Sequence, residues 1–202
     1  MRIIFATGNK GKMNEIREIM SGFDIPILSM REAGVETEVE ETGTTFLENS
    51  FLKARAIAAV CKSKGYEDIV LADDSGLEID HLNKEPGIYS ARYLGEDTPY
   101  SIKNANLLDR MQGVPDNERS ARFVCAVAGV LPDGREVSSV ATIEGRVAYE
   151  EKGENGFGYD PIFFLPEYGC TSAEISPEEK NKISHRGKAL ARMKEILSRE
   201  LR

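Results

Sequence analysis

The residues best equipped for chemistry fall into two sets of opposite charge. Asp73 and Asp74 follow the apolar run Ile69–Ala72, and the pattern predicts a buried strand that ends at Asp73-Asp74-Ser75-Gly76. Two adjacent carboxylates at the carboxyl end of such a strand are costly unless they are solvated, paired or bound to a metal. Ligands of open α/β sheets bind at that end, and carboxylate oxygens suit magnesium, which keeps several waters and is shared with substrate phosphates. An Asp-rich turn before a short strand Leu77–Ile79 is the plainer reading of the same residues. Glu40 and Glu41 close an acidic loop, Gly34–Gly43, just before a helix start, whereas Glu36 and Glu38 in that loop read as solvated surface.

The cationic set begins at Thr7-Gly-Asn-Lys-Gly-Lys12. It follows the β-rich run Ile3–Phe5 and precedes a helical face of Met13, Ile16, Ile19 and Met20. Strand, glycine turn and helix start point backbone N–H groups and the positive end of a helix dipole at an anion. Lys10 and Lys12 add charge, and Thr7 and Asn9 add donors; an ordinary βα turn is the alternative. It is not a Walker A loop, which needs Gly at position 6 and Ser or Thr at 13, where Ala6 and Met13 stand. Lys53 sits near the start of the next helix. Lys180, Lys182, His185, Arg186 and Lys188 form a local basic cluster. Gly153–Asp160 is a glycine-rich loop whose Phe157 and Tyr159 either stack on a planar ligand or bury one ring.

The elements that must carry these groups alternate between strand and helix. Asp24–Leu28 reads as a second strand. Thr45-x-x-Glu48 is a capping box for a helix that runs to Lys64, with Gly65 as its stop. Glu85–Gly95 is an irregular loop, and a helix capped by Asp97 or Thr98 with Pro99 runs to Met111. Arg119–Leu131 and Glu136–Tyr149 form a long hairpin about Pro132-Asp133-Gly134, which makes the sheet mixed and supplies either an extended wing or a dimer surface. Ser176-Pro177-Glu178-Glu179 opens a short helix, interrupted at Ser184–Gly187 before a final amphipathic helix with Ala189, Leu190, Met193, Ile196 and Leu197 inward.

Composition narrows the function classes. With 202 residues and 41% hydrophobic content, and no linker, the chain supports one domain over 1–202. A net charge of −8 and pI near 5.0 argue against nucleic-acid and membrane-surface partners, so an anionic ligand needs local cations. Cys61, Cys125 and Cys170 show neither disulfide nor zinc spacing, and no run reaches membrane-span or signal-peptide length; a reducing cytoplasm fits.

Six ordered blocks, TGNKGK at 7–12, Glu40–Ser50, ADDSGL at 72–77, PGIYSAR at 86–92, FGYDPIF at 157–163 and SHRGKAL at 184–190, resemble the inosine/xanthosine triphosphate pyrophosphatases. That family hydrolyses aberrant purine nucleoside triphosphates to the monophosphate and pyrophosphate. The resemblance implies a single elongated α/β domain with a mixed, strongly twisted sheet flanked by helices and two lobes around a nucleotide cleft. It also implies a magnesium requirement and a homodimer. Carried over by motif, Thr7, Gly8, Asn9, Lys10, Gly11, Lys12 and Lys53 would hold the triphosphate. Glu40, with Glu41 as its alternate, and Asp74 would bind Mg2+, and Asp74 or its neighbour Asp73 would accept the proton of the attacking water. Ser75, Phe157, Gly158, Tyr159, Asp160, Lys180, His185 and Arg186 would enclose the nucleoside end. Arg186 or backbone N–H groups would donate to the 6-oxo acceptor of hypoxanthine or xanthine and be left unpaired by adenine, a mismatch able to discriminate by roughly 10⁴-fold. A Maf-like pyrophosphatase that prefers other bases, and a nucleotide sensor without turnover, are the rival readings.

Overall fold

The short strand β1 (Ile3–Phe5) is held from three directions. Its three side chains are fully buried, each worth about 1.5–3 kcal/mol of burial. It pairs in parallel with β2 (Ile27–Ser29) on one side and β3 (Ile69–Ile79) on the other, with Phe5 opposite Ser29 and Leu71. The computed structural model describes residues 1–35 and 37–201; Glu36 therefore lies outside the described residues. The remaining strands are β4 (Ser120–Val130), β5 (Glu136–Val147), β6 (Phe163–Leu165) and β7 (Cys170–Thr171). One sheet has the order β2-β1-β3-β4-β5-β6-β7. The β5–β6 and β6–β7 pairs are antiparallel, so the sheet is mixed, as expected. The helices are α1 (Lys10–Ile19), α2 (Phe46–Ser63), α3 (Tyr100–Arg110), α4 (Pro177–Ile183) and α5 (His185–Glu200).

Two compact units share the chain. The first comprises Met1–Asp74, Cys125–Ala141 and Arg186–Arg202; the second comprises Ser75–Val124 and Thr142–His185. In the first unit, strand alternation sorts the core into two layers. Ile3, Phe5, Ile69 and Leu71 pack with Met13 and Ile16 of α1 and Leu190, Met193 and Leu197 of α5. Ile4, Val70 and Ala72 pack with Ala54, Ile57 and Cys61 of α2. In the second unit, Leu77 and Ile79 of β3 pack with Leu107 of α3, Met111 just past its end, Phe123 of β4 and Phe163 of β6. Among the described residues no helix is long and apolar enough to cross a membrane.

Several boundaries differ from the sequence reading. β2 starts at Ile27 rather than Asp24, because Pro26 has no N–H for the ladder and contributes only its carbonyl, which accepts from Ile3 N at 2.8 Å. β3 runs unbroken for 11 residues through the two aspartates, so neither a strand end nor an Asp-rich turn occurs there. Within the expected irregular loop Glu85–Gly95, Gly87–Arg92 is a 3₁₀ helix. Only Ser184 interrupts the last two helices, and His185, Arg186 and Gly187 are already helical.

Candidate active site

β1 ends at Phe5 while β3 continues, so Asp73 and Asp74 project past the carboxyl end of their neighbour, beside the turn that leads into α1. Successive residues of a strand face opposite ways. Asp73 therefore continues the face of Ile69 and Leu71, and Asp74 that of Val70 and Ala72.

On the α1/α5 face, Asn9 caps α1 by accepting from Lys12 N at 3.1 Å, and Thr7 Oγ1 accepts from Asn9 N at 3.2 Å. The cap fixes the first turn, and Lys12 Nζ reaches Asp73 Oδ2 at 3.1 Å. Arg186, 3% exposed, reaches the same oxygen at 3.4 Å and also pairs with Glu15. Burial opposes the guanidinium charge, but Asp73 and Glu15 outweigh it and raise its pKa. Lys10 lines a cavity of about 700 Å³ with Thr7, Gly8, Met13, Arg17 and Val35. The two lysines of the turn thus serve different surroundings.

On the α2 face, Asp74 Oδ2 accepts from Asn49 Nδ2 at 3.1 Å, and Asp74 Oδ1 lies 3.9 Å from Lys53 Nζ. Asn49 is fully buried, and its Oδ1 accepts from Gly43 N at 2.8 Å, which fixes the orientation of its amide and anchors the acidic loop. Lys53 Nζ bonds Glu41 Oε1 at 2.6 Å. Burial raises the Asp74 carboxyl above its usual range; Lys53 opposes that rise and Glu41 adds to it. Burial also works against Lys53, yet Asp74, Asp73 and Glu41 together keep its pKa above the ordinary lysine value. Glu40, the first expectation for the metal ligand, is exposed, while its neighbour Glu41 is half-buried against Lys53. The two differ because adjacent side chains take opposite directions.

In the second unit, Asp160 is buried and paired with Lys180 Nζ at 2.7 Å. It also accepts from Phe157 N at 2.8 Å and from Ser172 Oγ at 3.0 Å, and Lys180 lies 4.9 Å from the Phe157 ring centroid. Gly156 has φ +75, and a Cβ there would stand 2.2 Å from Asp160 Oδ2, so this turn admits no side chain. Tyr159 is 3% exposed and donates to Ser90 O at 2.7 Å; of the two aromatics it is the buried ring, not a stacking surface. Phe157 and Gly158 are half-buried, as is Ser75 within β3. His185, on the first turn of α5, stacks on Phe123 with centroids 4.8 Å apart and planes 14° apart. The expected basic cluster is therefore divided among separate acidic partners. Lys180 goes to Asp160, Arg186 to Asp73 and Glu15, and exposed Lys182 to Glu179.

A family model described as the Ham1 family matches residues 3–196. The chain belongs to the Ham1 family. It is 48% identical over 197 residues to a dITP/XTP pyrophosphatase of Clostridium perfringens, covering 97% of each chain. It is 46% identical over 199 residues to a dITP/XTP pyrophosphatase of Desulforamulus reducens, covering 98% of this chain and 96% of that one. The Staphylococcus aureus Ham1 protein superposes with a TM-score of 0.86 at 40% identity, over 99% of this chain and 100% of the other. A Mycobacterium abscessus nucleoside-triphosphatase, dITP/XTP pyrophosphatase, gives 0.73 at 40% identity, over 96% and 98%.

Two members of this candidate site escaped the sequence reading. Asn49 stands four residues before Lys53 on α2, and Glu15 three after Lys12 on α1. The signal for each was a polar residue on the helix face already assigned to a cation.

Proposed function

We propose that residues 1–202 act as one nucleoside triphosphate pyrophosphatase domain that hydrolyses dITP, ITP and XTP to the monophosphate and pyrophosphate, clearing aberrant purines from the nucleotide pool. The observation that carries this reading is the pair of consecutive aspartates beyond the end of β1, one clamped by cations and the other kept basic by burial.

Asp73 lies between Lys12 and Arg186 and is spent on holding them. Asp74 is buried, and its raised pKa makes it the better proton acceptor of the two. In the reaction, a water oxygen bonds to the α-phosphorus, the bond from that phosphorus to the α–β bridging oxygen breaks, and the water's proton goes to the Asp74 carboxylate. Lys12, Lys53 and the free N–H groups at the start of α1 bind the phosphates and offset the charge that builds on departing pyrophosphate. The oxygen donors of Asp74 and Glu41 suit Mg2+. Among the described residues no three His, Cys, Asp or Glu side chains cluster as metal ligands, so phosphate and water would have to complete the ion's shell. When bound, Mg2+ would neutralise phosphate charge and acidify the attacking water. Phe157–Asp160, braced by Lys180, and His185 would enclose the nucleoside.

We read the protein as a cytoplasmic homodimer. Cys61, Cys125 and Cys170 form no disulfide among the described residues, and Tyr89, Leu94 and Ile102 expose apolar surface in the second unit. The decisive experiment incubates the protein with dITP, XTP, dATP and dGTP, with Mg2+ or with EDTA, and separates the products by anion exchange. Monophosphate plus pyrophosphate from dITP and XTP, only with Mg2+, is expected. Orthophosphate as the sole phosphate product, or equal rates on dITP and dATP, would refute the reading.

A further inference from the structure

α3 begins just after Pro99, and Tyr100, Lys103 and Asn104 share one side of its first turns through i, i+3 and i+4 spacing. The three side chains engage two loops. The Tyr100 ring meets the Tyr159 ring edge-on, with centroids 5.2 Å apart and planes at 88°. Gly158 rests on the Tyr100 ring, since a Cβ there would lie 3.6 Å from Cε1. Asn104 Nδ2 donates to Gly158 O at 3.2 Å. Lys103 Nζ donates to Ala91 O at 2.6 Å and lies 4.9 Å from the Tyr100 ring centroid. With Tyr159 bonded to Ser90 O, the Gly87–Arg92 turn and the 157–160 loop are tied together through one helix.

Packing alone does not account for these residue types. Lys103 is 1% and Asn104 2% exposed, and burying an ammonium and an amide costs stability that two leucines would not. Among the described residues no donor reaches Asn104 Oδ1, which is buried. Its amide orientation is nonetheless fixed, because a flip would set Oδ1 against the Gly158 carbonyl. Polar groups kept at such cost serve the placement of what they bond.

We infer that Tyr100, Lys103 and Asn104 form a brace in which Asn104 is the positioning residue that sets the Gly158 backbone and so tunes discrimination between purine bases. The inference rests on the proposed assignment of Phe157–Asp160 to the nucleoside end. Telling an acceptor from a donor on a base edge requires donors held in place, and Asn104 holds the Gly158–Tyr159 peptide, next along the chain from Phe157, whose N–H is already bonded to Asp160.

The test measures kcat and KM for dITP and dATP with Mg2+ in the full-length parent, Asn104→Ala and Asn104→Asp, with thermal unfolding of each. The Asp variant keeps the shape and loses the donor. In both variants KM for dITP rises about five- to tenfold with kcat within about twofold, and the dITP/dATP ratio of kcat/KM falls about tenfold. The amide resonances of 156–160 move in each. Unchanged kinetics, an equal loss on both substrates carried by kcat, or Asn104→Asp behaving as the parent would overturn the inference. Should Asn104→Ala fail to fold, Tyr100→Leu, which removes the ring under Gly158, is measured by the same criteria; failure of both to fold marks a purely structural role and overturns it too. A parent that does not convert dITP to dIMP and pyrophosphate defeats the functional reading before any variant is compared.

Discussion

Replacing Asp74 by asparagine is expected to abolish turnover and yet stabilise the fold, and the two effects have one cause. Asp74 is 6% exposed, and burial lifts its carboxyl above the ordinary 3.8. A raised carboxyl binds its proton more tightly folded than unfolded. The stability from that preference is fully present below the unfolded pKa and is lost as pH rises through the folded one. At neutral pH the folded state therefore carries a penalty of about 1.4 kcal/mol for each unit of elevation. Asparagine carries no such charge and still accepts from Asn49 Nδ2, while Lys53 keeps Glu41 at 2.6 Å. Urea unfolding in EDTA at pH 5 and pH 8 measures the difference. Asp74→Asn is expected to be more stable than the parent at pH 8, with a gap that narrows as pH falls, and to lose at least about 10³-fold in turnover with Mg2+. A variant less stable than the parent at pH 8, a gap that ignores pH, or turnover within tenfold of the parent would refute the argument.

Lys53 holds the Asp74 pKa down, so Lys53→Met raises that pKa further and moves the acid limb of the kcat/KM profile to higher pH; a limb that stays put contradicts the assigned contact. Gly156→Ala puts a methyl group into the Asp160–Lys180 pair at positive φ, which costs about 1–3 kcal/mol of stability in thermal unfolding and raises KM for dITP; a parent-like melting curve would count against the observed turn.

Much of the scaffold was legible because it is governed by near neighbours. The Thr45 cap is present, accepting from Glu48 N at 3.1 Å, although Glu48 itself reaches back to Thr44 rather than Thr45. The Pro132–Gly134 turn joins two long strands, with Leu131 N bonded to Arg135 O at 2.9 Å. α5 falls close to where its apolar periodicity put it, whereas α3, which keeps its expected bounds, turns Lys103, Asn104 and Leu107 inward and leaves Ile102 and Ala105 exposed rather than in the core. β6 and β7 were missed, since strands of three and two residues carry too little pattern to read.

The failures lie where a residue's fate depends on a partner far along the chain. Asp73-Asp74 has the local signature of a turn. It became mid-strand because Lys12 and Arg186 on one face, and Asn49 and Lys53 on the other, meet the two carboxylates. The sequence by itself determined which residues could do chemistry, the helix caps that aim them and the alternating strand and helix that carry them, because each rests on contacts within a few residues. Tertiary structure alone decided that Glu41 rather than Glu40 meets Lys53, that Tyr159 is buried, and that Arg186 shares Asp73 with Lys12. Those outcomes turn on the face each side chain takes and on charges brought together across as many as 174 positions between Lys12 and Arg186, where spacing carries no information.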